Sequence, residues 1–454
     1  MRLKYCSKSN ITDKKTYINL ERMKTTNVKP ASGKLGVLCV GMGAVTSTVI
    51  IGSLLVRKGL ARPIGSFSQM GKMKAQKEDV EFRHVSEIVP IAKLNDIVFG
   101  GWDIFTDNIY QAATNAEVLK PAHINAVKDE LEAIRPMKAL FDPDYAKNIH
   151  GPNVKEGKNR WDLTEQVRQD IRNFKAQNHC DRIVVIWIAS TEKFTPRDDK
   201  VHGSLAALEQ AMKDDNKAQV APSMCYAYAA LSEGCPFIMG APNVCVDIPA
   251  MWELAEKTKM PITGKDFKSG QTMIKSVIAP ALITRQLGLT GWFSTNILGN
   301  RDGLVLDAPE NFETKRRSKL TPVEDILDKQ LYPELYSDIY HKICINYYPP
   351  RGDNKESWDN IDIFGWLDYP MAIKINFECR DSILAAPLAL DLILFSDLAA
   401  RAGRYGVQDF LSFYMKAPMH YDGKKAVVDL FKQFMVLKNA LREMGGYEAY
   451  QEID

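Results

Sequence analysis

Four lysines set the chemical question. Lys315 and Lys319 stand four residues apart in KRRSK, a spacing that puts both ammonium groups on one face of a helix. Lys355 follows a glycine turn in GDNK, and Lys416 ends the aromatic run SFYMK. A lysine taken singly is ordinarily a solvated surface charge. Several gathered in one pocket can hold a phosphate, stabilise an oxyanion and move protons, because repulsion and burial lower their pKa values. In GKDFKSGQT, Ser269, Gly270, Gln271 and Thr272 precede a helical run whose first N–H groups suit a phosphate. Capping by Ser269 would explain the same residues without a ligand. Asp103 in GWDI, Asp266 in GKDF, Asp302 in GNRDG and Asp381 in CRDS each lie in or beside a turn at a strand end. Such carboxylates can meet a ribose, orient a lysine or serve as ordinary caps.

A second constellation is GMGAVTST, from Gly41 to Thr48. Gly41 permits a tight turn after a strand, and Gly43 lets the backbone approach a pyrophosphate at a helix N-terminus. Ala44 and Val45 follow, and Thr46 replaces the third glycine of the usual fingerprint. No acid stands clearly about 20 residues on. A glycine turn that binds nothing therefore stays open.

Elements must position these residues. Strands are expected at Lys34 to Val40, Asp96 to Phe99 (running into a GGWDI turn), Arg182 to Ile188 and Cys235 to Met239, the last leading into GAPN. Helices are expected at 45–58, 120–134, 206–213 and 223–232. Strands alternating with helices argue for a doubly wound α/β sheet. After Lys268 a helix at 272–287 is followed by strands at 291–298, 342–348 and 372–378, which suits an α+β lobe. A long apolar helix at 382–402, carrying Asp391 and Asp397, and a terminal helix at 427–444 return the chain to the first lobe. The expected division is an arm at 1–33, a cofactor lobe at 34–272 plus 385–454, and a catalytic and oligomerisation lobe at 273–384. Met23 is an alternative natural start.

Composition narrows the partners. The chain has 454 residues and a formal net charge of +3, too little for nucleic acid as the main partner. The eight cysteines form no CxxC pair and the seven histidines no HExxH or HxH, so neither a zinc site nor a disulfide framework is expected. Buried thiols point to a reducing, cytoplasmic setting. The apolar stretch Gly36 to Val56 is broken by glycines and hydroxyls into strand, turn and helix, so no membrane span is expected.

The segments GMGAVTST, GSFSQMG, GGWDI, VIWIASTEKF, GAPN, DFKSGQT, STNILGNRDG, KRRSK, GDNK, CRDSILAAPLALDL and SFYMK, in this order, resemble the myo-inositol-1-phosphate synthase family. The resemblance spans roughly residues 36–419. It implies a Rossmann-like NAD-binding domain with an inserted α+β catalytic and oligomerisation domain, and a homotetramer. It also implies conversion of D-glucose 6-phosphate to 1D-myo-inositol 3-phosphate: oxidation at C5, proton loss at C6, attack of the enolate on the C1 aldehyde and reduction at C5. By resemblance, Lys315 and Lys416 serve proton transfer and the C5 oxygen. Lys319 and Lys355 hold phosphate and other substrate oxygens with Ser269, Gly270, Gln271 and Thr272. Asn296 and Asp302 position substrate and lysine, and Asp266 and Asp381 lie near the nicotinamide. Gly41, Gly43, Ala44, Val45, Thr46, Asp103, Ala189, Ser190, Thr191, Gly240, Ala241, Asn300, Asp353 and Ser382 line the dinucleotide. A monovalent or divalent cation is compatible with the asparagine and aspartate turns.

Departures include WIAST for WTANT, GAPN for NGSP, Arg301 in GNRDG and Arg380 in CRDS. They suggest a divergent bacterial-type branch and keep a different phosphorylated sugar as an alternative. A non-catalytic NAD-binding protein is the third reading, which the full lysine set disfavours.

Overall fold

The structure is a computed structural model, and it describes residues 28–424 and 426–451. Two sheets organise the chain. The first is built from β1 (Lys34–Val40), α1 (Ala44–Arg57), β2 (Ile97–Asp103), β3 (Met137–Lys138), α2 (Arg160–Gln177), β4 (Cys180–Trp187), α3 (Pro222–Ser232), β5 (Phe237–Met239), α4 (Pro249–Thr258) and β6 (Pro261–Gly264). The second follows as α5 (Gly270–Thr284), β7 (Gly288–Leu298), α6 (Arg301–Leu306), α7 (Pro309–Ile326), β8 (Tyr340–Tyr347), β9 (Asn354–Phe364) and β10 (Pro370–Arg380). The chain then returns through α8 (Asp381–Arg401), β11 (Gly406–Val407) and α9 (Leu430–Met444).

The first sheet is wholly parallel, in the order β11-β6-β5-β4-β1-β2-β3. KLGVLCV and RIVVIW supply its centre, with Val37 registered between Phe99 and Val184. Such strands are apolar on both sides because helices cover both faces. On one face α1 packs with α8, and on the other α2 packs with α3. By length and composition α8 could cross a membrane, yet 72% of its apolar window is buried inside this lobe. Asp391 on α8 accepts from the Ser66 hydroxyl and the Phe67 and Ser68 amides, and Asp397 pairs with Arg182 and Arg401. The two embedded acids are thus pins between segments.

The second sheet is mixed, in the order β8-β7-β9-β10. Here β7 runs parallel to β8 and antiparallel to β9, which pairs antiparallel with β10. Its inner face meets α5 and α7 around Trp292, Leu289, Ile361 and Val323.

Several expectations shift. GGWDI is strand rather than turn, because Gly101 brings β2 so near β1 that an added Cβ would lie 2.0 Å from the Cys39 carbonyl oxygen. These glycines mark close approach of two strands. STNIL lies in β7, as the strand expected at 291–298 requires. The helix expected at 120–134 breaks at Val127, whose φ of −135° is not helical. The terminal helix starts at Leu430, where the Asp429 carboxylate accepts from the Phe431 and Lys432 amides. Of the arm expected at 1–33, residues 1–27, with Cys6 and Met23, lie outside the described residues. Residues 28–33 lie against the body: Val28 is buried and its amide donates to the Met444 carbonyl.

Candidate active site

A cavity of about 410 Å³ lies between the two sheets, beyond the carboxyl ends of the first sheet's strands. This is where parallel α/β sheets hold ligands. Its floor is the turn between β1 and α1. Gly41 adopts φ +89° and sits so close to Ala189 that an added Cβ would meet its Cα at 2.6 Å. At Gly43, the cap of α1, an added Cβ would meet only open space. Nothing but hydrogen covers that approach to the helix N-terminus, so the cradle fits a dinucleotide pyrophosphate. Thr46 does not face the cavity; its hydroxyl donates to the Gly41 carbonyl at 2.6 Å and braces the turn.

The acid absent about 20 residues on is Asp103, at the end of β2. A long excursion between β1 and β2 separates it in sequence, while the sheet places it next door. Its carboxylate accepts from the Met42 amide at 2.6 Å and the Phe105 amide at 3.0 Å. Ala189, Ser190, Thr191, Gly240 and Ala241 line the wall at the ends of β4 and β5, and Ala44 and Val45 the start of α1. Across the cavity stand Asn300, Arg301, Asp302, Asp353, Asp381 and Ser382. Asn300 Nδ2 donates to Asp353, which also accepts from the Ser382 hydroxyl at 2.7 Å. The Arg301 guanidinium lies 4.0 Å from the centre of the Phe105 ring, one element from each side of the cavity.

The lysines converge at the inner end. Lys315 and Lys319 do share one face of α7, and both are buried. Asp266 leaves β6 at φ +63°, in the left-handed region, and is held there by its amide to the Ala241 carbonyl and by the Lys416 amide to its own carbonyl. Its carboxylate takes Lys315 Nζ at 2.9 Å, Lys416 Nζ at 3.1 Å and the Ser318 hydroxyl at 2.8 Å. Asp381, at the start of α8, takes Lys355 Nζ at 3.2 Å and the Ser269 hydroxyl at 3.0 Å. Ser269 therefore does not cap α5 with its side chain; it turns to Asp381 instead. Gly270 sits at φ +44°, a conformation that favours glycine, and starts the helix whose first amides point toward this region. Asp266, Ser269, Lys315 and Lys416 line the cavity itself. Lys319, Lys355, Gly270, Gln271, Thr272 and Asn296 form the layer behind it.

Burial and charge sort the four amines. Burial opposes charge on Lys315, but Asp266 and Asp302 outweigh it and raise its pKa. Lys355 is raised in the same way by Asp381. At Lys416 burial, aided by Lys315 and Lys355, wins over Asp266 and brings the amine to about 8. Lys319 falls well below its ordinary value, through burial and then through Lys355, Lys416, Lys275 and Lys315. Asp266, for which burial is outweighed by Lys315 and Lys416, is held at about 2. The site thus contains two amines held charged by carboxylates, one, Lys416, able to exchange a proton near neutral pH, and one, Lys319, whose ammonium form burial and neighbouring lysines disfavour.

A family model for myo-inositol-1-phosphate synthase matches residues 35–442. This chain belongs to the myo-inositol-1-phosphate synthase family. It is 60% identical over 420 residues to inositol-3-phosphate synthase 1 of Bacteroides thetaiotaomicron, covering 92% of this chain and 97% of that relative. It is 31% identical to the inositol-3-phosphate synthase of Saccharomyces cerevisiae, over 92% of this chain and 87% of that one. The crystal structure of the Caenorhabditis elegans inositol-3-phosphate synthase superposes with a TM-score of 0.86 at 28% identity, over 93% and 88% of the two chains. Within the synthase family, the chain is thus far more similar to this bacterial relative than to the yeast enzyme.

Two neighbours of the site escaped the sequence analysis. Glu192 follows Thr191 in the cavity wall and is buried against Ser223, and burial pushes its carboxyl up to about 7. Asp359 lies inside β9 on the same face as Lys355, Ser357 and Ile361. A two-residue period counted from Lys355 would have found it. Among the described residues no group of three or more histidine, cysteine or acidic side chains is gathered as metal ligands would be.

Proposed function

We propose that this chain converts D-glucose 6-phosphate to 1D-myo-inositol 3-phosphate with NAD, in a cycle that leaves no net NADH. One observation carries the reading. Four buried lysines meet at the inner end of a dinucleotide-sized cleft, and among the described residues Asp266 and Asp381 are the carboxylates paired directly to them. The excess of amines over carboxylates lets a phosphate dianion and a developing enolate draw protons and positive charge to the site.

Bound NAD supplies reversible hydride exchange at C5. The residues do the rest. Lys315, kept charged by Asp266, stands ready for the C5 oxygen. The neutral amine of Lys416 takes the C6 proton, leaving the electron pair delocalised onto that oxygen. As C6 attacks the C1 aldehyde, a C–C bond forms, and the C1 oxygen takes the proton back from the Lys416 ammonium. Lys319, Lys355 and the 269–272 turn hold the phosphate, Asn296 and Asp302 orient the sugar, and the residues of the β1–α1 turn, Asp103 and Asp353 hold the dinucleotide. Residues 34–272 with 385–454 act as the cofactor unit and 273–384 as the catalytic and assembly unit of a cytoplasmic homotetramer, feeding inositol to phospholipid synthesis. A monovalent or divalent cation beside the substrate oxygens completes the reading.

The test incubates purified protein with NAD and glucose 6-phosphate. Phosphorus NMR should show inositol phosphate while absorbance at the NADH band returns to baseline. Lasting NADH without inositol phosphate would overturn the reading. EDTA and exchange of sodium, potassium and ammonium test the cation.

A further inference from the structure

Gln271 is the hinge between the buried layer and the lysines. Its amide oxygen accepts from Asn296 Nδ2 at 2.7 Å and from Lys319 Nζ at 3.2 Å. Its amide nitrogen donates to Asp359 Oδ2 at 2.9 Å. The other Asp359 oxygen accepts from Trp292 Nε1 at 2.8 Å and from the Ser294 hydroxyl at 2.6 Å. All of these residues are buried, Asp359 at 2% exposure and Asn296 at 0%. An amide can present either end to its neighbours, and a carboxylate can only accept. The Thr295 carbonyl accepts from the same nitrogen at a longer 3.5 Å, so Asp359 is the nearer acceptor that decides which end of Gln271 faces the lysines. Two consequences follow along the chain of bonds. Lys319 finds a carbonyl dipole where its three companions find carboxylates. Asn296 must donate toward Gln271, which leaves its buried Oδ1 without a hydrogen-bond partner, as a free acceptor.

We propose that Asp359 is a positioning residue of the synthase site: it locks the Gln271 amide so that its oxygen receives Lys319 and Asn296, which holds Lys319 for the substrate phosphate and leaves Asn296 Oδ1 for a substrate hydroxyl. The inference rests on the synthase reading. Lys319 is faced by Lys355, Lys416, Lys275 and Lys315, and Lys275 in turn faces Asp359. Without the lock, Gln271 can turn its NH₂ toward this group of cations. The ammonium form of Lys319 is then disfavoured further.

The test compares wild type with Asp359→Asn, Gln271→Met and Trp292→Phe. Asparagine keeps the shape of the side chain but can offer its single acceptor oxygen to Gln271 or to Trp292, not to both. Each protein is assayed for inositol phosphate formation across neutral and alkaline pH and for binding of inorganic phosphate by calorimetry, with melting by circular dichroism as the measure of folding. Asp359→Asn and Gln271→Met should each lower kcat/KM about tenfold or more and move its basic limb toward acid by about one pH unit. Phosphate binding should weaken about fivefold. Trp292→Phe removes a donor to the same carboxylate without touching Gln271 and should keep the wild-type limb and phosphate affinity. If Asp359→Asn does not fold, Gln271→Met carries the same expectation. An unmoved limb with unchanged phosphate affinity overturns the inference, and so does an equal shift in Trp292→Phe. A wild type that makes no inositol phosphate overturns the synthase reading instead, and phosphate binding still decides the role of Asp359.

Discussion

Lysine 315 and lysine 416 share one carboxylate and yet differ in proton affinity, and the proposed chemistry rests on that difference. Replacing Lys315 by alanine should lower inositol phosphate formation about 100-fold or more, the scale of losing a preplaced charge at an oxyanion; unchanged turnover would remove its role. With its amine at about 8, Lys416 becomes a base as pH rises, so kcat should climb from pH 7 toward 9 and level off. Asp266→Asn should shift that rise to lower pH, because the ammonium loses its counter-charge, while the overall rate falls. The same carboxylate stabilises the fold: held at about 2, against about 3.9 when unfolded, it contributes above the unfolded value and the contribution fades as pH drops through 2. A wild-type rate indifferent to pH between neutrality and 9 would exclude Lys416 as the base. The charged members of this site were legible in the sequence because lysines and aspartates at turns and helix faces carry their own signal. The uncharged ones were less so. Nothing local told that Ser269 would abandon its cap for Asp381, or that Gln271 would bond Asp359 from 88 residues away.

At the scale of elements, the apolar runs LGVLCV and RIVVIW announced strands because burial on both faces leaves no room for polar alternation. Glycines were the weak point. In GGWDI they signal two strands pressed together, and a turn reading follows whenever the partner strand is unseen. The return of α9, which buries Leu437, Ala440, Leu441 and Met444 in the core, was legible; that it also covers Lys268, whose amine is hydrogen-bonded to Gln433, was not. Burial lowers Lys268 to about 7. Its proton affinity is thus lower folded than unfolded, so at or below pH 7 the fold carries the full penalty, and stability returns as pH rises from about 7 toward 10.5. Lys268→Met should therefore melt higher than wild type by a margin worth about 1 kcal/mol or more. That margin should be largest below pH 7 and shrink in alkali. A lower melting point at acid pH would show that the Gln433 bond outweighs burial.

At the scale of the whole molecule, a nearly neutral chain buries a cluster of lysines at its site and, among the described residues, exposes several large apolar side chains together at one tip. The tip joining β9 to β10 shows Trp366 at 87%, Leu367 at 72% and Tyr369 at 68% exposure. Leu367 holds φ +60°, the left-handed region that a bulky residue rarely occupies. Along β10, Pro370 and Met371 are exposed, and exposed and half-buried residues alternate from Ala372 to Arg380, with none fully covered. Each large side chain at the tip would gain about 1.5–3 kcal/mol on leaving water, and contiguous apolar patches of this kind mark contacts with another chain. We expect a homotetramer built on the second sheet, with this tip seated on a neighbouring copy. Sedimentation of wild type should give four-chain particles. Trp366→Glu with Tyr369→Glu should yield smaller species that keep the circular dichroism of the fold, since neither side chain packs within its own core. The layer behind the cavity takes Asn296 from β7 and Lys355 from β9, so loss of assembly should loosen these two and lower turnover more than NAD affinity. Four-chain particles in the double variant would place the interface elsewhere, and a wild type that sediments as one chain would remove it.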